Sequence, residues 1–354
     1  MKKKLCALLT SVIALATSGC SFLPSRNTPP APQERVANLQ VRPGPPLPEG
    51  SVLRSAGSLT PPRTSTQELV GSYRPDDRSP AERVPDIVKR GRVIVGVDRS
   101  NNLLSYRDTA SGEVRGFEVD IAHEIARDIF GDPNRVDFRF VESSERTQAL
   151  NEGTVDLIVR TMTITPERER EVSFSTPYLT TNTRTLVLSS SGINSMEDTA
   201  GRTLCAVQGS TALGAIAEHA PRANVLETVS WGDCLMALQL NQTDGIVVDD
   251  TVLSGMLAQD AYTSIVGESL KTENYGIAMR RNSEKYDARP LVRQVNSTLE
   301  RIQRDGTWNR IYNQWLGAYL PQPTLPAPRY IDETPQEHGD EAAKKSATDA
   351  PEEN

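Results

Sequence analysis

The chain has 354 residues, of which 37% are hydrophobic and 5% aromatic, and its formal net charge is -7 at pH 7. This length and apolar content allow a sizeable core, are compatible with two lobes, and exclude a fibrous or fully disordered protein. The first 19 residues carry Lys2, Lys3 and Lys4 and no acid, so the rest of the chain is more acidic still. An acidic body argues against nucleic acid as a partner.

The N-terminus has the pattern of a lipoprotein signal peptide, predicted over residues 1–19. Three lysines precede an apolar run, Leu5 to Ala16, that is too short to span a bilayer. Thr17-Ser-Gly-Cys20 then resembles the lipobox of bacterial lipoproteins, in which the cysteine is lipidated and becomes the new N-terminus. We therefore predict an extracytoplasmic protein anchored to the cell membrane by lipid on Cys20. An ordinary secreted protein, cut near Gly19, is the alternative.

Proline-rich segments flank the predicted globular region. Residues 20–84 are rich in Pro, Ser, Arg and Gly and lack a sustained apolar period, which is typical of an extended tether. Scattered apolar residues between Leu53 and Tyr73 would let part of this tether pack on the body. Residues 321–354 are first proline-rich and then acidic, which predicts a disordered tail.

Between the flanks, strand and helix patterns alternate, which predicts an α/β protein with parallel strands. The first unit has strands at 92–97, 136–141 and 156–159, with helices at 117–129 and 147–152 between them. A second unit repeats this order between 203 and 248. A crossing strand at 274–279 and two more helices complete the body. Two similar units joined by extended segments predict two lobes around a cleft.

The stretch Thr154 to Arg168 is the strongest candidate for a binding site. A short apolar strand pattern leads directly into the hydroxyls of Thr161, Thr163 and Thr165. Arg168 then adds a planar guanidinium that can pair with a carboxylate through two hydrogen bonds. Because open α/β sheets bind ligands at the carboxyl ends of their strands, this pattern indicates an anion site.

Cysteine use also indicates a location outside the cytoplasm. With Cys6 removed and Cys20 lipidated, Cys205 and Cys234 remain, and an even pair in an oxidising compartment predicts a disulfide. Two inert buried thiols are the alternative. The cysteines and the three histidines are too scattered for metal-ligand spacing, so we predict neither a metal nor another cofactor.

Four segments make the body resemble the family 3 bacterial extracellular solute-binding proteins, the amino-acid receptors of ABC importers, and in particular the actinobacterial glutamate/glutamine-binding lipoproteins. They are Gly112 to Ala126, Arg146 to Gly153, Asp156 to Tyr178, and Asp305 to Trp308 with Trp315. The resemblance extends from about residue 84 to residue 320. It implies a two-lobe, type II periplasmic-binding-protein-like fold with two hinge crossings. Residues 85–180 and 276–320 would form lobe 1, and residues 181–275 lobe 2.

The resemblance also implies a carboxylate site. Arg168 lies where the family binds the α-carboxylate of the ligand, with Thr163 assisting. Ser210 and Thr211 match the second-lobe turn that offers hydroxyls and helix N-terminal amides to the same group. A surface position for Arg168 is the alternative.

The ammonium group of the ligand would be bound by Asp249, with Thr161 assisting. Asp250 is the alternative contact, with Asp249 as a helix cap. A zwitterion that is removed from water needs a cation for its carboxylate and an anion for its ammonium, because unpaired buried charge is very costly. The implied residues supply both.

Three arginines bear on specificity: Arg99, Arg146 and Arg160 follow or adjoin strand ends of the first lobe. In acidic-amino-acid binders of the family, the positions of Arg99 and Arg146 hold the side-chain carboxylate. The loop Asn101-Asn-Leu-Leu-Ser-Tyr106 stands where many members place aromatic residues over the ligand, which favours a short polar ligand. Since guanidiniums stay protonated, we predict that a second carboxylate is preferred. Each arginine could instead be a solvated surface charge.

We interpret the sequence as a monomeric, lipid-anchored receptor that closes on glutamate or aspartate, or on glutamine or asparagine, and catalyses nothing. The predicted partner is an ABC permease, and a membrane sensor protein is the alternative. A dehydratase-like enzyme of the same fold and a structural surface lipoprotein are the rival classes. The ammonium-plus-carboxylate pattern and the lack of a Ser/His or Cys/His pair favour the receptor.

Overall fold

The computed structural model describes residues 44–62 and 68–331. The signal peptide, Cys20 and residues 332–354 lie outside the described residues. The first half of the body contains β1 (Val52–Arg54), α1 (Pro80–Arg83), α2 (Pro85–Arg90), β2 (Val93–Val97), β3 (Ser100–Asn101), β4 (Ser105–Arg107), β5 (Val114–Arg115), α3 (Phe117–Phe130), β6 (Val136–Phe140), α4 (Arg146–Asn151), β7 (Leu157–Ile158), α5 (Pro166–Glu169) and β8 (Val172–Leu188). The second half contains a short 3-10 helix (Met196–Thr199), β9 (Thr203–Val207), α6 (Ala212–His219), β10 (Asn224–Thr228), α7 (Trp231–Gln239), β11 (Gly245–Asp249), α8 (Asp250–Leu257), β12 (Thr263–Arg280), α9 (Arg289–Arg304) and α10 (Thr307–Trp315).

One mixed sheet runs through the body in the order β1-β10-β9-β11-β8-β12-β7-β2-β6. Strand β2 lies parallel to β6 and β7 at one end, and β9 lies parallel to β10 and β11 at the other. Between these two parallel groups, the long strands β8 and β12 pair antiparallel. We call the β2 group with α2–α5, α9 and α10 the first lobe, and the β9 group with α6–α8 the second lobe. The two long strands contain both predicted hinge crossings.

Apolar periodicity explains the helices of the first lobe. Phe117, Ile121, Ile125 and Ile129 recur every four residues on α3 and are all buried. The helix ends at Gly131, whose φ of 71° is the left-handed conformation common after helix C-termini. In α10, the buried Trp308 donates its indole N–H to the carbonyl of Tyr178 on β8 at 2.8 Å. This contact fastens the last helix to a hinge strand.

The predicted disulfide is present in the second lobe. Cys205 on β9 and Cys234 on α7 are bonded, with their Cα atoms 5.7 Å apart, a spacing that is normal for a disulfide. Both residues are fully buried. The bond therefore ties α7 to the sheet that it covers.

The described part of the predicted tether is packed rather than free. β1 pairs antiparallel with β10 at the edge of the second lobe, and Arg54 forms an ion pair with Glu227. Further along the chain, the backbone N–H of Val70 donates to Glu169 of the first lobe at 2.7 Å. These contacts fall within or beside the stretch from Leu53 to Tyr73, where part of the tether is expected to pack on the body, and they join it to both lobes.

The predicted tail also begins too early at residue 321. Tyr330 is buried, and Ile331 donates its backbone N–H to the carbonyl of Ser72 at 2.9 Å. Proline-rich composition gives no sign of this contact, since an extended segment can still pair with a segment that is distant in sequence. In the described part of the chain, no helix combines the length and the apolar character needed to cross a membrane.

Replacing both Cys205 and Cys234 by alanine should lower the free energy of unfolding. The two residues are 29 apart in sequence, and closing such a loop stabilises the folded state by about 3–4 kcal/mol in the chain-entropy model. Guanidinium unfolding measures the difference, and the unmodified protein in reductant is the matched control. Two free thiols in the non-reduced native protein would contradict the assignment.

Candidate functional site

A cavity lies between the lobes and is lined by both of them. Its lining residues are Ser143, Arg146, Thr161, Thr163, Arg168, Ser210, Thr211, Ala212, Trp231, Val248, Asp249, Val252 and Tyr275. All of the predicted ligand-binding residues except Arg99 and Arg160 are among them. The cavity lies where strands β7, β9 and β11 end, as expected for ligand sites of open α/β sheets.

Arg168 is positioned by a short helix. Thr165 caps α5, because its hydroxyl accepts the backbone N–H of Arg168 at 3.2 Å, and Pro166 occupies the first helical position. The guanidinium donates to the carbonyls of Thr163 at 2.8 Å and of Gly209, across the cleft, at 3.1 Å. Burial lowers the pKa of Arg168, while the charges of Glu273 and Asp249 oppose this shift. The group remains a cation with neutral hydrogen-bond partners.

Arg146 is a second cation at the cavity, and it is almost fully buried. It donates to the carbonyls of Ser143, Arg160 and Thr161 in its own lobe at 2.9–3.2 Å, and to Gly209 of the other lobe at 3.3 Å. Burial lowers the pKa of Arg146 well below its ordinary value, and the adjacent charge of Arg168 adds to the effect. Within the described residues, its acceptors are carbonyl oxygens and none is a carboxylate. A buried guanidinium whose hydrogen-bond acceptors are all neutral favours the binding of an anion beside it.

Asp249 faces these cations from the second lobe. It stands at the end of β11, directly before α8, and accepts hydrogen bonds from Thr183 at 2.9 Å and from the Tyr275 hydroxyl. Burial raises the pKa of Asp249 to about 7, and the neighbouring charge of Glu273 contributes. Asp250 instead accepts from Thr181 at 2.6 Å and from Asn182, and it does not line the cavity. Of the two acids, the geometry favours Asp249 as a ligand contact.

Two of the predicted specificity residues are directed elsewhere. Arg160 is buried, and its Nη2 lies 2.6 Å from Asp98 Oδ2 and 3.5 Å from a carboxylate oxygen of Glu142. The Arg99 side chain is 61% exposed, and its Nη2 lies 3.3 Å from Glu142. The expectation that these two arginines contact the ligand is therefore corrected, because two nearby acids already pair with them.

Glu273 on β12 is a charged neighbour of the site that the sequence pattern did not single out. Its buried carboxylate accepts from the Thr211 hydroxyl of the second lobe at 2.8 Å and from the Thr163 hydroxyl of the first lobe. Lys271 lies 3.2 Å from its other oxygen. Trp231, Tyr275 and Ser143 were missed as well. A single acid or aromatic residue in a strand pattern carries no local signal of such a role.

Two α/β lobes on a pair of long crossing strands, with an arginine of one lobe facing an aspartate of the other across a cleft, define a type II two-lobed solute receptor. The model of the bacterial extracellular solute-binding proteins, family 3, matches residues 93–318, and the chain belongs to this family.

Individual relatives agree with this assignment. The chain is 35% identical to the ABC transporter glutamine-binding protein GlnH of Bacillus subtilis (strain 168), over 64% of this chain and 81% of that protein. It is 30% identical to the glutamate-binding protein GluB of Corynebacterium efficiens, over 65% and 80% respectively. Among solved structures, an ancestral arginine-binding protein bound to glutamine is similar at 30% identity with a TM-score of 0.59, covering 64% of this chain and 99% of that chain.

Substituting Asp249→Asn should stabilise the ligand-free protein at neutral and higher pH. A carboxyl whose folded-state pKa is raised from 3.8 to about 7 contributes stability at low pH and loses it as pH rises through 7. Asparagine stays neutral, so the stability gain should grow between pH 4 and pH 8, to a difference on the order of 2–4 kcal/mol.

Urea unfolding at pH 4.5, 6 and 8 measures this difference. Burial also raises the pKa of Glu118 to about 7, but that titration is common to both proteins and cancels. A gain that is the same at all three pH values would show that Asp249 does not titrate in this window.

Proposed function

We propose that the protein is a receptor that closes on an amino acid. The observation that carries this proposal is the pairing of opposite charges across one cavity, with Arg168 from the first lobe and Asp249 from the second. An α-amino acid presents a carboxylate and an ammonium to these two groups at once, and each charge then keeps a partner after water is excluded. The printed names of the similar proteins, glutamine-binding and glutamate-binding, support the same ligand class.

In this proposal, the ligand α-carboxylate is bound by Arg168, assisted by Thr163, Ser210 and Thr211. The ammonium is bound by Asp249, assisted by Thr161. Ser210 and Thr211 directly precede α6, so backbone N–H groups of that helix start are available to the carboxylate. No reaction is proposed, since the charges of the site serve to bind a zwitterion.

Arg146 supports an acidic side chain on the ligand. With Arg168 assigned to the α-carboxylate, Arg146 is the remaining cavity cation, and its acceptors in the described chain are neutral carbonyls. A second carboxylate pairs with it through charge-assisted hydrogen bonds, whereas an amide offers only a neutral oxygen. We therefore propose glutamate or aspartate as the preferred ligands, with glutamine and asparagine weaker.

Calorimetry with these four amino acids tests the preference. We expect the acids to bind about tenfold more tightly than their amides, which corresponds to ~1.4 kcal/mol. Arg146→Gln should reduce this ratio towards one, because the substituted side chain still donates hydrogen bonds but carries no charge.

Arg99→Gln is the matched control. The substitution is chemically identical, but it affects an exposed arginine that pairs with Glu142 and does not line the cavity. It should leave the ratio unchanged. If the unmodified protein prefers glutamine, or if Arg99→Gln changes the ratio as much as Arg146→Gln does, the assignment of Arg146 fails. Binding by none of the twenty amino acids would refute the receptor proposal itself.

We also propose that the receptor acts as a monomer tethered by lipid on Cys20 and delivers its ligand to an ABC permease, with a membrane sensor protein as the alternative partner. Residues 85–180 and 276–320 are assigned to lobe 1 and residues 181–275 to lobe 2. The names of the similar proteins support delivery to a transporter, and the lipobox pattern supports the anchor.

Cys20→Ser should release the protein from the membrane or leave it unprocessed. Two or more acyl chains anchor a protein stably, whereas an unlipidated chain has no such attachment. Fractionation of cells that produce either form, followed by mass analysis of the N-terminal peptide, measures the effect. Co-sedimentation of the serine variant with membranes at the unmodified level would point to a different anchor.

A further inference from the structure

The lobes also touch at a second place, outside the ligand cavity. The side-chain amide of Asn102, in the loop between β3 and β4 of the first lobe, donates to the carbonyl of Gly255 on α8 of the second lobe at 3.2 Å. A Cβ atom added to Gly255 would lie 2.2 Å from the Asn102 carbonyl oxygen and 3.0 Å from its carbon. The closed arrangement therefore requires a residue without a side chain at position 255.

The loop on the first-lobe side is held firmly. Leu103 has a φ of 68°, a left-handed conformation that few non-glycine residues adopt. Its carbonyl accepts the backbone N–H of Phe117 at 2.9 Å, and the carbonyl of Leu104 accepts that of Glu118 at 2.9 Å. The Leu104 side chain is fully buried. The two residues that follow Asn102 are therefore held at the start of α3, which leaves the Asn102 carbonyl little freedom to move aside.

On the second-lobe side, Gly255 lies inside α8, where glycine is less favourable than alanine. The same helix begins directly after Asp249, so a shift of α8 changes the position of the proposed ammonium contact. Neither Asn102 nor Gly255 lines the cavity. Helix propensity does not account for this glycine, whereas the contact with Asn102 does.

We propose that Asn102 and Gly255 form a closure latch: a contact made only when the lobes close, which sets the fraction of closed protein and through it the ligand affinity. The proposal rests on the function inferred above. Apparent affinity is proportional to the population of the binding-competent state, so a residue that never touches the ligand can change it. Loss of the latch weakens every amino-acid ligand by the same factor and leaves the ranking of ligands intact.

Gly255→Ala in the full mature protein is the direct test. The added methyl group excludes the closed arrangement, so affinity for the preferred amino acid should fall by more than about tenfold. The melting temperature without ligand should be equal to or above that of the unmodified protein, because alanine favours the helix. Small-angle scattering with saturating ligand should give a larger radius of gyration than the unmodified protein has.

Gly232→Ala is the matched control. Gly232 is also a helical glycine of the second lobe that faces the first, but an added Cβ would lie 3.6 Å from Ser100 Oγ, an ordinary contact distance. Affinity and scattering should therefore match the unmodified protein. Asn102→Ala is an independent variant that removes one hydrogen bond but keeps the backbone carbonyl. It should weaken binding by roughly twofold to tenfold, mainly through faster dissociation.

Unchanged affinity and an unchanged compact shape in Gly255→Ala would overturn the latch, as would an equal loss in Gly232→Ala. A change in the ranking of ligands would also overturn it, since that result would place Gly255 in the site. Failure of the receptor proposal looks different, because the unmodified protein would then bind no amino acid. In that case the latch falls with the receptor proposal, because it acts through ligand affinity, whereas a protein that binds an amino acid equally well with and without Gly255→Ala overturns the latch alone.

Discussion

The carbonyl oxygen of Gly209 accepts hydrogen bonds from both Arg146 and Arg168 across the cleft. Among the described residues, the second lobe thus offers these two cations a neutral carbonyl as hydrogen-bond acceptor, and Asp249 of that lobe lines the same cavity. Removing guanidinium groups from water with carbonyl acceptors instead of hydrogen-bonded anions is costly, so closure of the empty cleft is poorly compensated. A ligand that supplies one or two carboxylates changes this balance. The positions of Arg146 and Arg168 at the cleft are therefore enough to make closure depend on the bound ligand, without a further conformational switch.

The hinge strand β12 takes part in the same charge arrangement. Glu273 and Tyr275 are two residues apart, so they project from the same face of the strand. Glu273 accepts from Thr163 and Thr211, one from each lobe, and Tyr275 donates to Asp249. Since β12 is also one of the two connections between the lobes, a rotation about it moves these contacts together. Hinge and binding site are in this respect one structural element.

Sequence reasoning could predict the parts of the site whose signal is local. Thr161, Thr163 and Arg168 stand directly after a strand pattern. Ser210 and Thr211 follow the corresponding strand of the second lobe, but their role in binding was implied by the family resemblance. The alternation of strands and helices likewise predicted both lobes. These features depend on spacing along the chain, which a single sequence contains.

The mistakes concern contacts that depend on which strands are neighbours. β2 and β7 lie parallel in a register that pairs Val95 with Leu157, and extending this register by three residues sets Asp98 opposite Arg160. The sequence shows that each residue follows a strand, but it does not show that the two strands are adjacent. Arg160 consequently looked like a free cation. The pairing of β1 with β10 and the role of Glu273 were hidden for the same reason.

The backbone at Thr161, beside the cavity, is strained and is held by a buried acid. Thr161 has a φ of 39°, a left-handed conformation that is unfavourable for a β-branched residue. Its N–H donates to the fully buried carboxylate of Glu118 at 2.6 Å, and its carbonyl accepts from Arg146 at 3.2 Å. Burial raises the pKa of Glu118 to about 7, opposed by hydrogen bonds from Tyr178 and Thr161. A strained backbone and a buried acid both reduce the stability of the empty protein. Together they hold the carbonyl of Thr161 next to Arg146, the cation that we propose to bind the side chain of the ligand. The protein thus loses stability at a site where binding requires a precise geometry.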